Sequence, residues 1–434
     1  MAFKRIQLGL IHVAVAMTLV PINSTLNRVM IKELAISATL VAILASLPYL
    51  FSPIQVAIGG FSDRHPLLGR RRTPYIVIGL ALCFIGLLLS PQAAYLLPLN
   101  FWGGVGLGLL AFGAWGMGYN FATVSYLSLA SELSGERDRG RTIAVMWFMM
   151  ITSIIVTAIA LSQMVDPYTA EALVRAFWIV ALAALALGLL GLVGLEPRLS
   201  PSFVSSSNEE YSWGRLIRFL LNNRQAKLFF FYLAILLAAI LGQDILLEPF
   251  GAEAFGMSVR ATTRITSVWG ACVLTALVVA GALERRMDKR SVARAGAWGT
   301  LAGFLLIALS GLLASQSVFY TGVILLGVGT GLATVSNLSL MLDMTTPEMI
   351  GLFMGAWGMS NAVSRLVGTV LGGAVRDLVI QISRVPLTGY LVVFILEALM
   401  VAASLVLLPR IDVGAFRRQA EVPSLIERVA AATD

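Results

Sequence analysis

Charged residues are scarce in this chain: they make up 12% of its 434 residues, whereas hydrophobic residues make up 58%. A soluble globular domain carries about 25% charged residues, so this composition excludes the soluble classes. The mean hydropathy of +0.87 indicates that the solvent of this chain is the lipid bilayer.

Cysteine and histidine are scarcer still, with two of each. Cys83 and Cys272 fall inside apolar stretches, which indicates packing positions and gives no information on the redox compartment. The sequence has no clustered Cys and His set, no phosphate-binding glycine loop with its lysine, and no nucleophile motif between a strand and a helix. We therefore predict a non-enzyme without a bound metal.

Long apolar runs are abundant, and each is about as long as a membrane-spanning helix requires, roughly 20 residues. The runs are continuously apolar, which excludes the alternating strands of a barrel. The predicted fold class is therefore an all-α polytopic membrane protein with twelve transmembrane helices. The runs lie near residues 6–26, 38–58, 74–92, 100–129, 142–164, 174–194, 227–247, 262–282, 292–313, 317–341, 349–375 and 386–408.

One window of the sequence occurs twice. GMGYNFATVSYLSL at Gly116–Leu129 returns as GVGTGLATVSNLSL at Gly327–Leu340, 211 residues later and with nine of fourteen positions identical. The repeat predicts two six-helix halves, at residues 1–195 and 227–409. A polar linker at 196–226 joins them on the cytoplasmic side, and its second part is either an interfacial helix or a basic flank of the seventh span. Residues 410–434 form a cytoplasmic tail.

The distribution of Lys and Arg predicts the orientation. With both termini inside, the cytoplasmic segments hold 23 of the 31 basic residues, as the positive-inside rule requires. The net charge of +8 is therefore mostly a topology signal. A nucleic-acid partner is not expected, since that role requires a soluble basic face.

The segment between the second and third spans reads GGFSDRHPLLGRRRTPY. A short loop between antiparallel helices uses glycine to turn, an acid that can face a helix N-terminus, and arginines that anchor at the inner lipid surface. The segment resembles the signature loop of the major facilitator superfamily, whose two halves rock about a central site. The residues that match are Gly60, Asp63, Gly69, Arg71 and Arg72. The resemblance implies that Asp63 braces the two halves when the cytoplasmic side is closed.

Three further stretches narrow the resemblance. They are LNRVMIKEL from Leu26, with Asn27 and Arg28; the stretch Gln243–Gly270, with Asp244, Glu248 and Pro249; and GLFMGAWG from Gly351, with Trp357, followed by Asp377 at the end of that helix. Together with the loop, they resemble the PucC/LhaA family of the major facilitator superfamily, the bacteriochlorophyll-delivery group. The stretch YNFATVSYLSLASELS from Tyr119 is closer to the cyanobacterial-type members.

The resemblance implies an assembly factor for photosynthetic light-harvesting or photosystem complexes, which binds chlorophyll or bacteriochlorophyll as cargo and delivers it to apoproteins. It implies light-harvesting or photosystem polypeptides as partners, with pigment-synthesis enzymes as further candidates. The expected location is the cytoplasmic or thylakoid membrane. The alternative is an alternating-access secondary transporter of a small lipophilic or charged solute.

Ionisable and amide side chains inside the spans are the candidate site residues, because they are costly in lipid. His12 could coordinate the central magnesium of a pigment, although a lone intramembrane His can equally bond to a neighbouring helix. Asn120 and Gln243 offer oxygen donors for the same purpose. Arg365 and Glu397 lie in successive helices and are predicted to form a structural ion pair.

Overall fold

The computed structural model describes residues 2–198, 223–344 and 350–416, without the side chains of residues 2, 56, 63, 135–140 and 350–355. Within these ranges the chain is mostly helical. The α-helices are α1 (Ala2–Met17), α2 (Ala38–Ala45), α3 (Leu47–Leu50), α4 (Ile54–Arg64), α5 (Thr73–Leu96), α6 (Phe101–Met164), α7 (Ala170–Leu192), α8 (Arg224–Gly242), α9 (Leu247–Phe255), α10 (Val259–Leu283), α11 (Lys289–Leu313), α12 (Gln316–Asp343), α13 (Ile350–Ser383) and α14 (Pro386–Leu407).

Eleven helical segments of the described chain are long and apolar enough to cross a membrane. The remaining predicted stretch, 38–58, is helical in three pieces, α2, α3 and α4. Pro48 and Pro53 explain the breaks, because proline lacks the amide hydrogen that continues an α-helix. The architecture agrees with the predicted all-α membrane fold, with the second span interrupted.

The first span is longer than the sequence pattern predicts. After α1, two π-helical segments, Pro21–Leu26 and Val29–Glu33, continue the helical chain to Glu33. The expected end near residue 26 is therefore wrong, because Arg28 and Lys32 interrupt the apolar pattern without ending the helix. π-Helical turns are rare in proteins, and those that do occur are frequently found at functional sites.

The fourth and fifth spans belong to one helix, α6, which bends sharply. The hydroxyl groups of Ser134 and Thr142 are 2.8 Å apart, whereas residues eight positions apart in a straight helix are separated by about 12 Å along the axis. The two spans, Phe101–Ser134 and Arg141–Met164, can therefore cross the membrane in opposite directions without a non-helical loop.

The repeated windows make corresponding close contacts in their two environments. A Cβ atom on Gly118 would lie 2.5 Å from the carbonyl oxygen of Gly79, and one on Gly329 would lie 2.6 Å from that of Gly296. Both pairs join a window helix, α6 or α12, to the preceding helix, α5 or α11. Because apolar side chains gain nothing by leaving lipid for a helix interface, small residues that allow backbones to approach are a main source of helix association in membranes.

Two predicted segments fall partly outside the described residues. Residues 199–222 of the linker 196–226, which include most of the proposed interfacial helix in its second part, and residues 417–434 of the tail 410–434 lie outside the described residues.

Gly118→Val and Gly329→Val should each destabilise the protein, because the added carbons have backbone atoms within 2.6 Å. Overpacking of this kind typically costs about 1–3 kcal/mol. Thermal unfolding of the detergent-solubilised protein would measure the effect. Gly106→Val is the matched control, since a Cβ there meets nothing within 4 Å; an equal loss in the control would contradict the crossing as the cause.

Candidate functional site

We call residues 1–195 the first half and residues 227–409 the second half, following the repeat. The end of the bundle that carries Glu33, Asn100 and Gly256 is the outer end, because the Lys and Arg distribution predicts that it faces away from the cytoplasm. A layer of polar contacts joins the two halves at this end, and we call it the outer seal. Its members are Ser24, Arg28, Lys32, Glu248, Glu253, Thr266 and Asp377.

Glu248 lies at the centre of the outer seal and is 3% exposed. Its Oε1 accepts hydrogen bonds from Ser24 of the first half and from Thr266 of the second half, the latter at 2.6 Å. Its Oε2 has no hydrogen-bond partner in the described part of the chain. A single buried carboxyl therefore connects the π-helical part of the first span to helices α9 and α10.

Arg28 makes a second buried connection between the halves. Its guanidinium group donates to the backbone carbonyl of Met257 at 3.1 Å and forms an ion pair with Glu33. One turn further along, Lys32 pairs with Glu253 across the halves. Arg28 is 3% exposed, so its charge depends on protein partners, namely the Met257 carbonyl and the partly exposed Glu33.

Asp377 makes the third connection of the outer seal, because its carboxylate caps helix α2 of the first half. Its carboxylate accepts hydrogen bonds from the backbone amides of Ala38 and Thr39, at 3.2 and 2.8 Å, and from the Thr39 hydroxyl at 2.7 Å. These amides belong to the first turn of α2, where N–H groups have no partner within the helix. The negative charge also complements the positive end of the helix dipole.

Three of the stretches that carry the family resemblance thus meet at one place. Asn27 is fully buried and hydrogen-bonded to the Asn23 carbonyl at 3.1 Å, next to Arg28 in the seal. Pro249 lies in α9, which belongs to the stretch Gln243–Gly270. Trp357 does not join them: it precedes Asp377 by twenty residues of α13, about 30 Å along a helix.

Arg365 pairs with Asp244, at 2.8 Å, and not with Glu397 as predicted. The predicted pair is wrong because α13 packs against α8 as well as against α14, and the residues after α8 supply the closer acid. The guanidinium carbon of Arg365 also lies 5.1 Å from the ring centre of Tyr49, in the first half. This cation–π contact links the ion pair to the interrupted second span.

The three predicted pigment donors lie in different surroundings. His12 is 6% exposed, its Nδ1 has no partner in the described residues, and its ring lies 5.0 Å from that of Tyr126. The amide nitrogen of Asn120 donates to the carbonyls of Pro48 and Gly116, and its oxygen accepts from Gln55. Asn120 would have to give up a contact to bind anything else.

Gln243, the third predicted donor, is 2% exposed and lies in the short 3-10 turn between α8 and α9. Its amide nitrogen donates to Asp244 at 2.9 Å, and its oxygen has no partner in the described residues. Because Asp244 also pairs with Arg365, Gln243 lies beside this ion pair. It is therefore not part of the surroundings of His12.

The predicted signature loop is held against the first half by two acids that sequence reasoning missed. The Glu196 carboxylate accepts from the backbone amides of Arg71, Arg72 and Thr73 at 2.6–3.2 Å, and so it is the acid at this helix N-terminus. Arg72 is 5% exposed and donates to Glu132 at 2.9 Å, so it is not a lipid anchor as expected.

The remaining loop residues follow the expected turn. Gly69 has a φ of +70°, a conformation that glycine adopts without strain, and the Gly60 carbonyl accepts from Arg64. The Asp63 side chain lies outside the described residues, so its bracing role stays a prediction.

The second half has an ion pair that corresponds to Arg72–Glu132 of the first half. It is formed by Lys289 and Asp343, at 2.7 Å. Asp343 lies 211 residues after Glu132, which is the offset of the repeat. The repeat could therefore have indicated Glu132 as the acid that pairs with Arg72.

These features define an all-α polytopic membrane protein with the major facilitator fold. Among solved structures, a variant of the nucleoside transporter NupG is similar in fold, with a TM-score of 0.75, 15% sequence identity, and coverage of 94% of this chain and 99% of that chain. A sequence profile of the family described as PUCC protein matches residues 25–416. The chain belongs to this family.

Two relatives span nearly the whole chain. Protein PucC of Cereibacter sphaeroides is 32% identical, over 91% of this chain and 89% of the relative. A protein of Rhodobacter capsulatus named bacteriochlorophyll synthase 44.5 kDa chain is 27% identical, over 97% of each.

Asp377→Ala should weaken the seal, because it leaves two amides of α2 and the Thr39 hydroxyl without their acceptor. Losing a helix cap typically costs about 1 kcal/mol, which thermal unfolding in detergent would detect. Asp166→Ala is the control: Asp166 also pairs across the halves, with Arg260, but at side-chain exposures of 37% and 41%. Exposed pairs contribute about 0–1 kcal/mol, so equal destabilisation by both variants would contradict the cap.

Stability should also depend on pH through Glu248, which lies between two membrane spans. Burial raises its pKa from 4.5 to about 7, against the opposing effect of its hydrogen bonds from Ser24 and Thr266. Between these pH values the folded protein holds a proton that the unfolded chain releases, so the free energy of unfolding falls as pH rises through the window. Glu248→Gln should flatten this slope in thermal unfolding from pH 4.5 to 8, whereas Glu171→Gln, at an exposed site, should retain it.

Proposed function

We propose that the protein is an assembly factor for photosynthetic light-harvesting or photosystem complexes, and that it binds chlorophyll-type pigment and delivers it to apoproteins within the membrane. The observation that carries the proposal is the family match over residues 25–416, together with relatives whose names refer to PucC and to bacteriochlorophyll synthesis. We propose that it acts without catalysing a reaction, since the fold neighbours are transporters.

The surroundings of His12 support a pigment site on the lipid side of the first half. Residues of α1, α6 and α7 line a cleft of about 350 Å³ that includes Val13, Met149 and Leu187. His12 directly precedes Val13, and the indole ring of Trp147 lies edge-on to the His12 ring at 6.4 Å. The cleft wall residues Phe148 and Val156 are more than half exposed at the bundle surface, where the surrounding medium is lipid.

The chemistry of His12 fits a magnesium-containing ring. A neutral imidazole nitrogen is a metal ligand, and the Nδ1 atom of His12 is a buried acceptor or donor that the described protein does not use. His12 would hold a bound pigment by donating a ring nitrogen lone pair to its magnesium. The apolar cleft beside His12 would exclude water, which competes for the same position.

The proposed setting follows from the same features. The protein lies in the cytoplasmic or thylakoid membrane with both termini on the cytoplasmic side, as the Lys and Arg distribution favours. Its partners are light-harvesting or photosystem polypeptides that lie in the same bilayer, with pigment-synthesis enzymes as further candidates. The halves then provide a scaffold on which pigment and apoprotein meet.

His12→Ala should lower the pigment bound per folded molecule by roughly tenfold, the effect of losing about 1.4 kcal/mol of binding. The protein would be purified in mild detergent from a photosynthetic host, and absorbance would be compared with the amount of folded protein from gel filtration. His65→Ala is the matched control, since His65 is exposed and bonded to its own helix. Equal pigment in the His12 and His65 variants would remove His12 from the site.

A secondary transporter is the second candidate, and the Asp244–Arg365 ion pair favours it. Charged groups this deep in a bundle mark substrate or ion pathways in many membrane proteins, and the fold neighbours are transporters. Purification separates the two functions: pigment together with antenna or reaction-centre subunits supports assembly. A colourless protein that drives gradient-dependent solute flux in liposomes supports transport.

A further inference from the structure

Glu397 is a buried carboxyl group that the described protein leaves without partners. It lies in α14, is 4% exposed, and neither of its side-chain oxygens has a hydrogen-bond partner within the described residues. An ionised carboxylate in such a position is strongly unfavourable, because nothing replaces the water that it has lost. The neutral, protonated acid is the form that this site can hold.

The carboxyl group of Glu397 fills a gap between two closely packed helices. A Cβ on Gly242, at the end of α8, would lie 3.0 Å from Glu397 Oε1 and 3.0 Å from the backbone carbonyl of Gly368 in α13. Glycine at both positions leaves room for the acid at this crossing. Glu397 is therefore fixed where α8, α13 and α14 meet.

The Asp244–Arg365 ion pair lies directly beside this crossing. Asp244 follows Gly242 by two residues, and Arg365 precedes Gly368 by three, which is about one helical turn. Asp244 is the charged group that acts electrostatically on Glu397, and its carboxylate lies 2.8 Å from Arg365. The long, flexible Arg365 side chain starts one turn from Gly368, at the crossing where Glu397 lies, so that a change of rotamer can bring it from one acid to the other.

Few other titratable groups of the described residues face this cluster. From the first half, Tyr49 and Tyr119 face Arg365. From α11, which also packs against α14, the charged residues lie at the inner end of the helix. From α9, Glu248 and Glu253 are engaged in the outer seal.

We propose that Glu397, Asp244 and Arg365 form a proton-binding site in which the two acids share one proton and one cation. While Arg365 pairs with Asp244, the proton resides on Glu397. When Arg365 moves to Glu397, Glu397 releases the proton and Asp244 takes it up, so that charge and protons balance. Asp244 is the acid that exchanges with water, because its side chain is 18% exposed.

Tyr49 connects this site to the relative position of the halves. It belongs to the first half, and its ring lies 5.1 Å from the Arg365 guanidinium carbon, so it holds Arg365 on the Asp244 side. Separation of the halves at this level removes the ring and releases Arg365. The site therefore couples proton binding to movement of the halves, whether or not the protein carries pigment.

Infrared spectroscopy of the purified protein tests the proposal, because a protonated carboxylic acid has a carbonyl band that a carboxylate lacks. At pH 8, above the pKa of Glu248 at about 7, the native chain should show the band of one protonated group. Glu397→Gln should lose it, and Glu171→Gln should keep it. Absence of the band from the native chain, or its persistence in the Glu397 variant, would overturn the assignment.

Asp244→Asn gives an independent readout that a merely structural acid would not produce. With Asp244 neutral, Arg365 must take Glu397 as its counterion, so the band should disappear although Glu397 is still present. A band of unchanged intensity would overturn the exchange of Arg365 between the acids. This variant also decides the question if Glu397→Gln fails to fold.

The role of Tyr49 is tested with a pair of variants. Tyr49→Leu removes the ring and should shift the frequency of the band, because Arg365 is freed to pair with Glu397 and the proton then resides on Asp244. Tyr49→Phe keeps the ring and should retain the band at its native frequency. Bands at the same frequency in both variants would overturn the coupling between Tyr49 and the proton.

Discussion

Helix association in a lipid environment is the constraint on which this structure depends. In water, apolar faces are driven together, but lipid offers them an equally apolar medium, and helices must gain stability from close packing. The crossings at Gly79–Gly118 and Gly296–Gly329 supply that packing, with backbone atoms so close that any side chain would collide. They occur at corresponding positions of the repeat, so each half has its own rigid centre. Movement is then left to the contacts between the halves.

The contacts between the halves include groups of a different chemical kind. Beside apolar contacts such as that of Gly270 with Ile155, they include buried ionisable groups, at Glu248, Arg28 and Asp377 in the outer seal and at Arg365 one layer deeper. A hydrogen-bonded interface of this type is strong while it is complete and costly when one partner is missing. It therefore favours discrete closed and open arrangements over intermediate ones, as a protein with rocking halves requires.

Much of the architecture could be predicted because it depends on features that are local in sequence. Apolar length predicted the spans, and the repeat identified windows that make equivalent contacts. The partner of Arg365 could not be predicted, because it depends on which helices are neighbours in space: Glu397 is near in sequence, whereas Asp244 comes from a helix more than a hundred residues earlier. The extension of the first span was missed for a related reason. Arg28 and Lys32 indicate the end of a helix when only the sequence is known, because their contacts with Met257 and Glu253 of the second half are not visible there.

The Asp377 cap has a consequence for how such proteins are compared. Its principal partners are the backbone amides of residues 38 and 39, and every amino acid except proline offers that amide. Substitutions at position 38 therefore leave the bond intact, and position 377 is under no pressure to change with it. A search for covarying pairs would miss this link between the halves, although it joins residues 339 positions apart in the chain. Contacts of this kind are visible only in three dimensions.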